Sequence, residues 1–168
     1  MPKRVASRLL GLALTLGTVA AGAVVAGAIP GAAASGKCVA VAGTVVSTAD
    51  FGTFTTRGTS SGDLEGTTFF QGDPSSLTPV TAYASPPLNP TDHYTGDFTV
   101  TTKKGVLKSR SVGVFELVGN GLGTQFDRIL GDQSTGKFAG ATGQLYFNFQ
   151  SDSTGTKFTS TYTGRICR

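Results

Sequence analysis

The chain has 168 residues, with 14 basic side chains against 10 acidic ones and a formal charge of +4. Three of the basic residues, Lys3, Arg4 and Arg8, lie at the very start; with residues 1–34 set aside, 11 basic residues face 10 acidic ones and the charge falls to +1. That balance excludes an electrostatic case for nucleic acid or an anionic membrane surface. The roughly 134 residues left are enough for one domain with a real core.

The first element in chain order is a targeting signal. Basic MPKRVASR is followed by the uncharged run LLGLALTLGTVAAGAVVAGAIPGAAA, and Ala32, Ala33 and Ala34 supply an A-x-A-type cleavage site. This order of basic, apolar and small residues is that of a secretory signal peptide, so residues 1–34 are expected to be removed, leaving one domain over 35–168 in a secreted, extracellular protein. The competing reading is an uncleaved membrane anchor, since the run approaches the length of a spanning helix; its Gly and Ala content and the processing site argue against a stable anchor. Cys38 follows Ser35-Gly36-Lys37, which is no lipobox.

Two cysteines in an exported chain, Cys38 and Cys167, are expected to form a disulfide. Such a bond closes nearly the whole domain and makes its first and last segments neighbours. With a single histidine, His93, the cysteines do not complete a four-ligand metal set, so neither a metal nor any other cofactor is expected.

The domain itself reads as all-β. Short β-prone runs rich in Thr, Val and Phe alternate with clusters of Gly, Pro, Asn and Asp, and no segment holds a 3.6-residue period over ten residues. The expected strands are 39–47, 51–57, 64–71, 80–84, 94–103, 105–110, 111–118, 124–130, 144–150 and 157–166, some of which merge. Period-two alternation assigns faces: Leu145, Phe147 and Phe149 lie opposite Tyr146, Asn148 and Gln150, and Phe158, Ser160, Tyr162 and Ile166 lie opposite Thr159, Thr161, Thr163 and Arg165. One apolar face and one Thr-covered face suit a barrel or a sandwich. The disulfide favours a single antiparallel barrel of about eight strands with the first and last strands adjacent, which leaves no open edge. Between 71 and 94 runs an irregular segment carrying Pro74, Pro79, Pro86, Pro87 and Pro90, read as a rigid surface connection or a lid over one barrel mouth.

Two glycine-rich motifs are decoys. GDQSTGK, residues 131–137, satisfies G-x-x-x-x-G-K, but Phe138 stands where a phosphate-binding loop needs Ser or Thr, and the glycines beyond deny it a helix. VGNGLGT, residues 118–124, lacks the spacing of a dinucleotide fingerprint, and Asn120-Gly121 reads as a hairpin turn. No G-x-S-x-G occurs, and His93 alone builds no triad; no catalytic residue is assigned. The candidate ligand-binding residues are ionisable or phenolic groups that share a strand face with apolar residues. Glu116 lies on the parity of Val112 and Val114, Arg128 on that of Phe126 and Leu130, Tyr162 on that of Phe158 and Ile166, and Glu65 alternates with Phe69. If those faces line the barrel, they anchor a ligand; if the register is opposite, they sit on the outside or at the rim.

TGKFAGATGQLYF, residues 135–147, resembles the glycine-rich hairpin of the allene oxide cyclase-like barrels, a family related to the dirigent proteins. YTGDFTVTTKKGVLKSR, residues 94–110, is similar to that family's paired strands around a G-x-L turn, and YTGRIC, residues 162–167, to the last strand of its secreted bacterial members. GDQSTG departs from the more usual G-G-T-G by about two residues. The resemblance implies an eight-stranded antiparallel barrel with a largely apolar interior. It also implies a small hydrophobic partner held there, bound only or cyclised or isomerised by being held in one conformation. A non-catalytic extracellular protein with a packed interior is the alternative; self-association as a homo-oligomer is left open.

Overall fold

A computed structural model describes residues 36–80, 91–116 and 119–168; the expected signal peptide lies outside the described residues. Nine strands form one sheet: β1 Cys38–Asp50, β2 Thr55–Gly62, β3 Gly66–Gly72, β4 Thr78–Pro79, β5 Thr91–Thr102, β6 Gly105–Glu116, β7 Leu122–Ile129, β8 Thr142–Ser151 and β9 Lys157–Cys167. Every pairing is antiparallel, and two of them close the ring. β1 pairs with β9 from Cys38↔Cys167 to Thr48↔Lys157, and β3 pairs with β5 from Gly66↔Thr102 to Gly72↔Gly96. The result is an eight-stranded closed barrel with the first and last strands adjacent, plus β4 outside the ring. β5 overhangs β3, and β4 covers part of that overhang through Thr78↔His93 and Pro79↔Asp92. Pro79, which has no N–H to donate, suits this short edge.

Cys38 and Cys167 are bonded directly across the β1–β9 seam, their Cα atoms 4.0 Å apart. The disulfide therefore fastens the one seam that joins the two ends of the domain. Among the described residues no helix is long and apolar enough to cross a membrane.

Apart from the run at 80–84, the expected strands are recovered, two of the runs with changes. The runs 105–110 and 111–118 form the single strand β6, which ends at Glu116; 117 and 118 lie outside the described residues. The run expected at 51–57 is displaced to Thr55–Gly62, because Asp50 caps a turn instead, accepting from the Gly52 amide and the Thr53 hydroxyl. Of the run expected at 80–84, only Val80 is described, joined to Thr91 by its amide.

Inside, the alternation assigned to β8 and β9 holds, Leu145, Phe147, Tyr162 and Ile166 being buried, and Phe98 and Val100 of β5 are buried with them. Room for the large rings comes from glycines directly opposite them. Tyr162 faces Gly43 and Tyr94 faces Gly113 in register, and a Cβ on either glycine would come within 2.5 Å of the phenol oxygen. GDQSTGK lies in the connection from β7 to β8. It leads into a short 3-10 turn, Gly136–Phe138, that drops the fully buried Phe138 ring onto one end of the barrel. Gly136 has a φ of 58°, a conformation open to glycine at no steric cost.

Candidate functional site

Strand direction places four connections at one end of the barrel, and three at the other beside the start of β1 and the end of β9. The end holding the disulfide, the 63–65 turn and the β7–β8 connection is plugged: Leu64, Phe138, Ala141 and Ile166 are buried there. At the opposite end, the mouth, a cavity of about 90 Å³ opens among the rings of Phe51, Phe54, Phe70, Tyr94, Phe98, Phe115, Phe147, Phe149 and Phe158. It lies where the second halves of β1, β6 and β8 meet the starts of β2, β5 and β9.

The aromatic wall is held by edge-to-face contacts, the geometry ring quadrupoles favour. Tyr94 packs at 5.6 Å on both Phe70 and Phe115, and Phe149 at 5.7 Å on Phe158. Phe54 belongs to this wall from an unusual backbone position, with φ at 50°. A bulky side chain pays for such a conformation in strain. Its ring is held 6.2 Å from Phe70 and 6.4 Å from Tyr94, in space that a Cβ on Gly72 would occupy.

Polar groups enter this apolar cavity at few points. The inward hydroxyls of Ser47 and Ser160 line it from adjacent strands; both serines are 8% exposed, and neither side chain makes a hydrogen bond among the described residues. Tyr94 and Gln125 line it as well and are bonded to each other, the phenol donating to Gln125 Oε1 at 2.7 Å. From Gln125 the hydrogen bonds run down into the barrel. Its Nε2 donates to Ser111 Oγ at 3.2 Å and to Asp127 Oδ1 at 2.8 Å, and Ser109 Oγ lies 2.6 Å from Asp127 Oδ2. Asp127 has no solvent exposure and no cationic partner among the described residues. Burial pushes its carboxyl above the ordinary value, an effect that the bonds from Ser109, Ser111 and Gln125 only partly offset. Burial likewise pushes the Tyr94 phenol up, so it stays protonated and its donor proton is committed to Gln125.

A second cavity of about 250 Å³ adjoins the first and shares the rings of Phe51, Phe115 and Phe158 with it. Its remaining wall is polar, with Glu116, Gly119, Ser151, Thr154 and Gly155.

The four ligand-binding candidates do not come together. Tyr162 points inward and is buried, but its hydroxyl is fully used, accepting from the Leu64 amide and donating to the Ser61 carbonyl, each at 2.9 Å. Arg128 is exposed on the outer face: Gln125, Asp127 and Ile129 are the inward residues of β7. The apolar parity that suggested otherwise is an outer one, where Phe126 packs on Tyr146 of β8 at 5.2 Å. Glu116 is also off the inward parity of β6, which Ser111, Gly113 and Phe115 carry; it sits at the mouth, accepting from the Leu122 amide at 2.9 Å and lining the second cavity. Glu65 is exposed beside the β2–β3 turn at the plugged end. His93 lies on the outer face of β5 against Thr78 and Val114.

Residues that sequence reasoning passed over, Ser47, Tyr94, Gln125, Asp127 and Ser160, surround or underlie the cavity. Their signal was parity. Gln125 and Asp127 share the face of the buried Ile129, and Ser109 and Ser111 that of the buried Leu107. Comparison with family models, with curated proteins and with solved structures returns no match to this chain.

Proposed function

We propose that the chain is an exported, allene oxide cyclase-like barrel that binds a small apolar molecule at its mouth. The single observation that carries this reading is the aromatic cavity lined by the hydroxyls of Ser47 and Ser160, which make no hydrogen bond among the described residues. Two unpaired hydroxyls in an otherwise apolar wall suit an occupant with a polar group. The volume sets the scale of that occupant. Sites for drug-sized ligands run to about 300–1,000 Å³, and about 90 Å³ suits a single ring. Export is supported by the Cys38–Cys167 bond, which belongs to an oxidising compartment.

Conformational steering of a reactive substrate is the second reading. One feature favours it: Tyr94 and Gln125 connect the cavity to a buried carboxyl whose pKa burial raises, an arrangement able to hold a polar oxygen in a fixed orientation.

Native mass spectrometry of protein recovered from its own culture medium tests the binding reading. A co-purifying small molecule is the expected result. A clean apo mass, together with no NMR shift changes on titration with neutral single-ring aromatics, would overturn it. Ser160→Val is expected to weaken any polar-substituted ligand several-fold while leaving the fold intact.

A further inference from the structure

The charges that line the two cavities are one-sided. Asp50 lines the aromatic cavity and Glu116 the adjoining one, and among the described residues lining either cavity there is no Lys, Arg or His. Asp50 is held ionised by the Thr53 hydroxyl and the Gly52 amide. Glu116 spends one carboxylate oxygen on the Leu122 amide and has no cationic partner among the described residues. The rings of Phe51, Phe115 and Phe158 line both cavities, and the negative face of an aromatic ring also attracts a cation. A ring can thus be seated in the inner cavity while a positive group is met by the carboxylate of the outer one.

Resting on the binding reading above, we infer that the two cavities form one site for a small aromatic ammonium compound. Its ring fills the aromatic chamber, and its ammonium group lies between the shared phenylalanines and Glu116. An anionic ligand of the same shape meets two like charges and no cation among the described residues lining the cavities, so the same site disfavours it.

Isothermal titration calorimetry with phenethylamine, 2-phenylethanol and 3-phenylpropanoate, at neutral pH and low salt, tests this. Phenethylamine, cationic at that pH, is expected to bind about ten times more tightly than the neutral alcohol, with the carboxylate weakest. Glu116→Gln keeps an oxygen for the Leu122 amide and removes the charge; it is expected to bring phenethylamine down to the level of the alcohol. Asp50→Asn is expected to give a smaller loss, about twofold to threefold, because Asp50 is solvent-exposed. Equal affinity for the ammonium and the alcohol would overturn the inference and leave the binding reading standing. An ammonium preference that survives unchanged in a folded Glu116→Gln protein would overturn the assignment to Glu116. No heat with any of the three, confirmed by unchanged NMR spectra, would overturn the inference and the binding reading together.

Discussion

At one end of the barrel Phe138 is 1% exposed beneath the β7–β8 connection; at the other, Phe51 keeps 54% of its surface on the β1–β2 turn. The same eight strands run through both ends, so the difference lies in how the connections were spent. At the plugged end the 130–141 connection folds back over the barrel, and the 63–65 turn is tied down by Tyr162. Three backbone amides in this region, those of Thr135, Lys137 and Leu130, bond to carbonyls of β6 or of the residue before it. At the mouth the turns carry phenylalanines that face a cavity. One end of the molecule is therefore a source of stability, and the other forgoes burial to leave space, as binding sites drawn from less stable regions do.

This contrast can be broken experimentally, beginning with the disulfide at the plugged end. Replacing Cys38 and Cys167 by Ser is expected to cost about 4–5 kcal/mol, the chain-entropy value for a loop of this size, measured by urea unfolding. A loss below about 1 kcal/mol would show that the seam is held by its strand ladder alone. Next comes a matched pair of truncations. Phe138→Ala is expected to lose about 3–4 kcal/mol as a cavity opens in packed core, while Phe51→Ala stays within about 0.5 kcal/mol and weakens ligand binding instead. Equal losses for the two would erase the distinction between the ends. Tyr162→Phe leaves the Leu64 amide and the Ser61 carbonyl without their phenol partner, and about 2 kcal/mol should disappear with no change at the mouth.

The smallest effect concerns the buried carboxyl between the two ends. The pKa of Asp127 is raised above its ordinary value of 3.8 by burial. Over the interval between the unfolded and folded values the folded state holds more protons than the unfolded one, so this group makes stability fall as pH rises from about 4. Asp127→Asn is expected to remove that decline and to be more stable than the parent at neutral pH by on the order of 1 kcal/mol, since the amide still pairs with Gln125 and Ser109 without a buried charge. A pH–stability curve unchanged by the substitution would count against a raised pKa.

The sequence made the barrel legible because burial follows period two wherever inner residues are apolar. In β8 and β9, Leu145, Phe147, Tyr162 and Ile166 fix the inward side without ambiguity, and the two cysteines identify the closing seam. The site was harder to read for the same physical reason. In β7 the apolar Phe126 faces out, where it pairs with a tyrosine, and the inner positions hold Gln125 and Asp127. Parity ranked by hydrophobicity therefore chose the wrong side and led to Arg128. The aromatic wall was hidden for another reason: its members come from strand ends and a turn scattered between 51 and 158, and only the register of the closed sheet brings them together.

The bond between Cys38 and Cys167 also decides how the molecule carries load. The two sulfurs join residues 129 positions apart in sequence, and the whole barrel lies within the loop they close. A force applied to the chain segments flanking the cysteines passes from one to the other through the sulfurs and never reaches the strand ladder. Stretched in that way, the oxidised protein behaves as a short inextensible link. Once reduced, it can pay out a contour length on the order of 400 Å as the strands unzip from the seam.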